Sequence, residues 1–246
     1  MDQSVACVVP ARLAATRFPG KLLQPLAGVP VIVHTLRRAR AAECFSEVVC
    51  LTDAEEIRAA AAADGFRAEL TGEAANGTDR IGRHLGCVGE ELIVNLQGDE
   101  PVFPLEGLRI LARALAEAPS RVHLLVHADP PSGPDLANPH RVKAGMDAEG
   151  WVQDFYRDRP RLPSAFSRLQ LGAYGYAREY LRRYAALPVS TREREESHEL
   201  LRDLTLAPIR AHSCPHPSQS VDVPGDLQAA ARLWAEQNLY PLKSTT

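Results

Sequence analysis

Three runs in the first half of the chain, "VACVVP" (Val5 to Pro10), "EVVCLTD" (Glu47 to Asp53) and "ELIVNLQGDEP" (Glu91 to Pro101), are short and apolar, and turn polar only at their ends. Unbroken apolar runs of this length predict strands buried on both faces. Between and after them the apolar period lengthens to that of a helix. In "GVPVIVHTLRRARAA", Ile32, Leu36 and Ala39 share one face, Pro30 suits the first turn, and Arg37, Arg38 and Arg40 are expected to point outward. The Ala-rich stretch ending at Gly65 and "LEGLRILARALAEA" read as further helices. Strands separated by single helices predict an α/β fold with a parallel sheet covered on both faces.

The rhythm changes in the second half. "HRVKAGMDAEGWVQDFYR" has two β-rich arms around "DAEG" and predicts a hairpin, and "LQLGAYGYA" predicts another strand. "STREREESHELLRDL" reads as one charged helix, and "VPGDLQAAARLWAEQ" as a terminal helix with Pro224 at its first position. There are no repeats. The chain is therefore expected to form a single domain over residues 1–246, with an antiparallel element around residues 138–180 inserted in a three-layer core.

Composition narrows the class of protein. The 246 residues are 45% hydrophobic with a formal net charge of −3, which argues against non-specific nucleic-acid binding. No apolar run approaches the roughly 20 residues that span a bilayer. The N-terminal stretch has an early acid and no basic region, unlike a signal peptide. Five scattered cysteines (Cys7, Cys44, Cys50, Cys87 and Cys214) lack metal-type spacing, and Cys7 and Cys50 sit in apolar runs as small hydrophobes. These features predict a cytoplasmic protein that neither inserts in a membrane nor binds nucleic acid.

Ligands of open α/β sheets bind beyond the carboxyl ends of the strands, and three polar clusters fall there. "PARLAATRFPGK" holds Arg12, Arg17 and Lys21 among small residues that let backbone N–H groups approach an anion. It is neither a P-loop nor a dinucleotide fingerprint. It is either a phosphate site or a solvated basic loop. "NLQGDEP" offers Asp99 and Glu100, and "SVDVPGDL" offers Asp222. Each acid is a helix cap or a ligand to Mg²⁺, which takes one or two carboxylates and shares its shell with phosphates. Together the clusters fit a nucleoside triphosphate–Mg²⁺ site.

These motifs, with "TD" at Thr52–Asp53, "NGTDRI", "NPHRVKAGMDAEG" and "LGAYGY", resemble the 3-deoxy-manno-octulosonate cytidylyltransferase (CMP-Kdo synthetase) family over nearly the whole chain. The resemblance implies a three-layer nucleotidyltransferase fold, with a small antiparallel insertion serving sugar binding and dimerisation. It implies an enzyme that transfers CMP from CTP to an acidic sugar with release of pyrophosphate, acts as a homodimer and uses Mg²⁺. Arg12, Lys21 and Asp99 would be catalytic. Pro10, Ala11, Arg12, Lys21, Gly77, Thr78, Arg80 and Gln97 would bind CTP, Ala11, Gln97 and the Gly77–Thr78 turn reading cytosine. Gln97, Arg157, Gln170, Tyr174, Glu193 and Glu196 would face the sugar, and Asp99 and Asp222 the metal. The family reaction needs no Ser or Cys nucleophile, because the anomeric hydroxyl attacks.

The departures gather on the acceptor side. Gln170 stands where the family has His, Leu200 where it has Gln, and Ala74 and Asn76 replace His and Ser. The family pattern therefore leaves the acid open between Kdo, its 8-amino relative and a sialic-acid-like sugar. A catalytically idle CTP-binding regulator is the alternative from another class. Arg157 reads equally as a hairpin-edge arginine. Glu193, Glu196 and Glu199 recur at helical i, i+3 spacing and read as one acidic face, solvated or turned to the sugar, and His198 reads as a surface residue. Arg17 has no assignment.

Overall fold

The computed structural model describes residues 4–15, 17–158 and 166–236. In chain order the elements are β1 (Val5–Ala11), β2 (Pro25–Leu26), β3 (Val29–Pro30), α1 (Val31–Ala41), β4 (Glu47–Thr52), α2 (Glu55–Ala63), β5 (Arg67–Leu70), α3 (Gly77–Arg83), β6 (Leu92–Leu96) and α4 (Leu105–Glu117). They continue with β7 (Val122–His127), α5 (Gly133–Ala137), β8 (Lys143–Met146), β9 (Val152–Tyr156), β10 (Phe166–Ala177), α6 (Arg178–Ala186), α7 (Thr191–Glu196), α8 (Leu200–Asp203), β11 (Ile209–Cys214) and α9 (Pro224–Glu236).

The main sheet has the order β11-β7-β10-β6-β1-β4-β5. β1 lies at its heart, parallel to β4 and β6, and every residue of it is buried. Its side chains alternate between two cores, as the period of a strand requires. Val5, Cys7 and Val9 face the layer of α1, α2, α4 and α9, whereas Ala6 and Val8 face α3, α6, α8 and the β8–β9 hairpin. Cys7 and Cys50 are fully buried within these packings, as small hydrophobes should be.

The expectation of a parallel sheet holds for β6-β1-β4-β5 and for the β7–β11 pair, and fails at β10. β10 runs antiparallel between β6 and β7, so the sheet is mixed. β10 also serves a second sheet: Phe166–Leu169 pair with β8, whereas Ala173–Ala177 pair with β6. Between Gln170 and Tyr174 its register on β7 shifts, and this irregular stretch turns toward the cleft described below. The predicted hairpin is present as β8 and β9, joined through Asp147 and Gly150. Pro224 opens α9 as expected, and the expected end of that helix at Gln237 lies outside the described residues.

Three further expectations are corrected. Pro30 sits at the N-cap of α1 and not inside its first turn. Arg38 is buried and donates from Nε to the Phe103 carbonyl at 2.7 Å, because the α1 face is wider than the apolar stripe alone implied. The charged segment Ser190–Leu204 is two short helices broken at Ser197, which adopts a left-handed conformation (φ 48°).

The α3–α6 contact is close enough to be a point of failure. A Cβ built on Gly82 would lie 2.6 Å from the Leu181 carbonyl oxygen, which is backbone and cannot rotate away. Gly82→Val is expected to destabilise the fold by about 1–3 kcal/mol, the usual range for overpacking. Urea denaturation measures it, and an unchanged midpoint would show that α6 yields.

Candidate active site

A cleft of about 1570 Å³ opens at the carboxyl ends of β1 and β6. The loop after β1 forms one wall. It is held from below: the Leu13 N–H donates to Asp53 Oδ1 at 3.1 Å, and Arg80 donates to Asp53 Oδ2 at 2.7 Å. Arg80 is itself buried and also donates to Thr71 and to the Gly72 carbonyl. It therefore braces the wall through Asp53, which ties the loop to Arg80.

The loop closes in a Pro-Gly turn with Gly20 left-handed (φ 65°), which starts a 3₁₀ turn and sends the Lys21 side chain inward. The Lys21 ammonium donates to Asp99 and, at 2.9 Å, to Asp222 Oδ1. The Val221 N–H donates to the Asp99 carbonyl at 2.9 Å, so the two acidic segments are stitched side by side. Neither acid is a helix cap. α4 is preceded by Pro104 as its cap residue, and the start of α9 is capped by Asp226 Oδ2, which accepts from the Asp222 and Val223 N–H groups at 2.8 Å. Burial pulls the Lys21 pKa down, but Asp99 and Asp222 outweigh it and hold the ammonium above its ordinary value. Burial likewise pushes Asp222 up, and Lys21, Arg17 and Arg157 hold it below the usual carboxylate range.

Arg17, unassigned from sequence, joins this cluster. It donates to Asp222 Oδ1 at 2.9 Å and meets His140 Nδ1 at 2.8 Å, linking the opening loop to the segment before β8. Arg12 lines the same cleft with its side chain exposed.

Pro10, Ala11, Gly77 and Gln97 form a neighbouring corner. A Cβ on Gly77 would come within 2.9 Å of Pro10 Cγ and 3.1 Å of Gln97 Nε2, so the wall is in contact there. Gln97 Nε2 donates to Glu199 Oε1 at 2.8 Å and to Asn95 Oδ1 at 3.3 Å, which leaves its Oε1 as the group available to a ligand. Glu199 Oε2 accepts from the Thr78 N–H at 2.9 Å. Thr78 is fully buried behind Gly77, with its hydroxyl beside Asn95 and Tyr176, so it does not line the cleft as a base-reading residue would. Burial raises Glu199 to about 7, against the lowering effect of the Thr78 hydrogen bonds. Asn76 caps α3 by accepting from the Asp79 N–H at 2.7 Å, a task its amide oxygen performs as well as a serine hydroxyl.

The residues expected at the sugar also line the cleft, with unequal freedom. Gln170 Nε2 donates to Tyr174 at 2.7 Å, and its buried Oε1 has no hydrogen-bond partner among the described residues. Arg157 is neither a free edge arginine nor a free ligand: it donates to the carbonyls of Pro139, His140, Glu196 and Ser197, joining the entry to β8 with the break between α7 and α8. Glu193 is buried and accepts twice from Arg202, at 2.6 and 2.8 Å, and from Asn76 at 2.6 Å. A carboxylate so engaged supports the wall instead of meeting a sugar hydroxyl. Glu196 accepts from Arg192 at 3.0 Å. The break at Ser197 puts Glu199 at the N-cap of α8 and Glu193 within α7, so no continuous acidic face exists. His198 is buried against Phe155 and not on the surface, and burial with nearby Arg157 and Arg192 lowers its pKa to about 3.

Glu100, offered in the sequence beside Asp99, also lines the cleft, together with Ser218. It is buried, accepts from the Ser218 hydroxyl, and is pushed by burial and by Asp99 up to about 8. Among the described residues no cluster of three or more His, Cys, Asp or Glu side chains could hold a metal, and no helix is long and apolar enough to cross a membrane.

Comparison with known proteins places this arrangement among relatives. A profile described as cytidylyltransferase matches residues 6–210. A 3-deoxy-manno-octulosonate cytidylyltransferase of Anaeromyxobacter sp. is 37% identical over 241 residues, covering 94% of this chain and 97% of that protein. One of Myxococcus xanthus is 38% identical over 234 residues, covering 92% and 94%. The solved structure of CMP:2-keto-3-deoxy-manno-octonic acid synthetase complexed with CTP superimposes with a TM-score of 0.85 at 30% identity, covering 95% of this chain and 99% of that one. A putative glucose-1-phosphate thymidylyltransferase from Bacillus anthracis shares the fold, with a TM-score of 0.73 at 14% identity and coverage of 97% and 98%.

Proposed function

The chain belongs to the 3-deoxy-manno-octulosonate cytidylyltransferase family, and from that membership we propose that its cleft transfers CMP from CTP to the anomeric hydroxyl of Kdo. The observation that carries the reading is the meeting of one loop cation, Lys21, with two carboxylates, Asp99 just beyond β6 and Asp222 in the loop before α9 rather than at the strand end its sequence suggested, in the cleft that Arg12 also lines. Such an edge offers positive charge to a triphosphate and oxygen ligands to its counter-ion.

In this reading Pro10, Ala11, Gly77 and Gln97 hold the base, with Arg80 and Thr78 fixing the wall behind them. Arg12 and Lys21 hold the triphosphate. The sugar hydroxyl forms a bond to the α-phosphorus and releases its proton to solvent, as the bond from that phosphorus to the bridging oxygen breaks and pyrophosphate leaves with that electron pair. The protein supplies position and charge rather than a nucleophile. Asp99 and Asp222 would hold a divalent ion, read here as Mg²⁺. They fit one, because both carboxylates already converge on a single cation, Lys21. When bound, the ion would neutralise charge on the phosphates. Gln170, Tyr174 and Glu196 face the acceptor, and Arg157 shapes that end through its backbone ties. The antiparallel element around residues 138–180 is read as the sugar-binding and homodimerisation element. Phe166 at the start of β10 is 43% exposed, an apolar surface that a second copy would cover.

A pyrophosphate-release assay with CTP, Mg²⁺ and a panel of sugar acids tests the function. Turnover is expected with Kdo and to exceed that with 8-amino-Kdo or sialic acid. Turnover confined to another acid would move the substrate assignment, and CTP binding without turnover on any acid would indicate a regulator.

A further inference from the structure

The Lys21 ammonium stands in the position that the two acids would offer to a metal ion. It donates to Asp99 and to Asp222 at once, and Arg17 adds a second cation to the same Asp222 oxygen. Two acids and two cations make this cluster neutral as it stands. A divalent ion arriving alone would have to displace Lys21, whose side chain is only 14% exposed, and would leave a desolvated ammonium without a partner. A triphosphate arriving alone would bring several negative charges against two carboxylates. Arriving together, the triphosphate offers Lys21 new acceptors and the ion takes the carboxylates. The four-carbon stem of lysine allows that exchange without moving the loop.

We propose that Lys21 has a second role beside holding phosphate: it keeps the place of the metal in the nucleotide-free protein and thereby couples metal entry to nucleotide entry. The proposal rests on the reading of Asp99 and Asp222 as metal ligands. It separates two tasks for one side chain, holding the carboxylates before CTP arrives and holding phosphate afterwards. Coupling of this kind is a difference in affinity, reciprocal between the two ligands.

The test is a nucleotide-free titration with Mn²⁺, followed by electron paramagnetic resonance of the free ion, on the wild type, Lys21→Gln, Asp99→Asn and the double variant. Lys21→Gln is expected to bind Mn²⁺ about tenfold more tightly than the wild type, within the usual range of coupling. Asp99→Asn should cancel that gain in the double variant. Equal affinity in the wild type and Lys21→Gln, with binding still lost in Asp99→Asn, would overturn the coupling role and leave the ligand reading intact. Mn²⁺ binding indifferent to Asp99→Asn in both backgrounds would overturn the ligand reading and the proposal together. Arg17→Gln, at an exposed side chain, keeps the question open to test if Lys21→Gln does not fold. It should tighten nucleotide-free Mn²⁺ binding by a smaller factor, and no tightening there would count against the proposal.

Discussion

Asp99→Asn is expected to lower kcat/KM by about 10²–10³, equivalent to about 2.7–4 kcal/mol of barrier, the loss found when one preorganised electrostatic stabiliser is removed. The amide keeps the size of the side chain and one oxygen, but loses the charge that Lys21 meets in the free protein and that a divalent ion would meet in the complex. Stability should hardly move. Lys21 keeps Asp222 as a second acceptor at 2.9 Å, so the substitution does not leave its ammonium without a partner. Steady-state kinetics at saturating CTP, set beside a urea unfolding curve, separates the two effects. Full activity at limiting Mg²⁺ would remove Asp99 from the metal site. A loss of activity matched by a loss of stability would make its role structural.

The opposite pattern is expected at Glu193. Its carboxylate meets Arg202 through two hydrogen bonds, and the two side chains are 5% and 2% exposed. Glu193→Ala would leave Arg202 with Asp79 at 3.7 Å as its remaining acid among the described residues. Breaking a buried pair from one side costs about 3–5 kcal/mol, a large share of the roughly 5–15 kcal/mol that holds a domain folded. The same substitution removes the capping box at Ser190 and one acceptor of Asn76. Replacing both partners with apolar residues, Glu193→Leu with Arg202→Met, should recover much of the loss, because no buried charge is then stranded. Denaturant midpoints for the single and double variants decide it. A single-variant cost below about 1 kcal/mol would show the pair to be solvated, as surface pairs are.

Glu193 also shows where the sequence was legible and where it was not. The strand ends were readable because each apolar run stops at a chemically distinct residue, and β1, β4 and β6 place Arg12, Asp53 and Asp99 close to where the pattern put them. The helix in which Glu193 was read had the right local composition but no local sign of its break. Ser197 turns left-handed in a segment where Arg157 from the hairpin takes the Glu196 and Ser197 carbonyls. That contact spans about forty residues of chain, so helical spacing could not report it. The burial of Glu193, His198 and Arg38 has the same origin: each charged or polar side chain found its place through a distant element. β10 was recognised as a strand, but its antiparallel place between β6 and β7 is decided by pairing, to which its own sequence is blind. β5, β7, β11, α3, α5 and α6 were not anticipated at all. α3 announces itself only through the Asn76 cap, and β7 and β11 take their place from the partners on either side.

Within the site, residues expected at the phosphates and metal meet one another directly, whereas several expected at the acceptor are engaged by the protein itself. Phosphate and metal chemistry need particular residue types at strand ends, a local signal. The acceptor end is built from side chains whose freedom depends on what else they touch, as Arg157 and Glu193 demonstrate. Arg17 acquires clear partners only in three dimensions.

The most direct measurement of the central claim is a phosphorus-31 magnetic resonance time course of the protein with CTP, Mg²⁺ and Kdo. The expected result is a new phosphodiester resonance of the CMP-sugar, growing in step with pyrophosphate as the CTP signals decline, and absent when either Kdo or the metal is left out. CTP signals that persist unchanged, in protein shown to bind CTP, would contradict it.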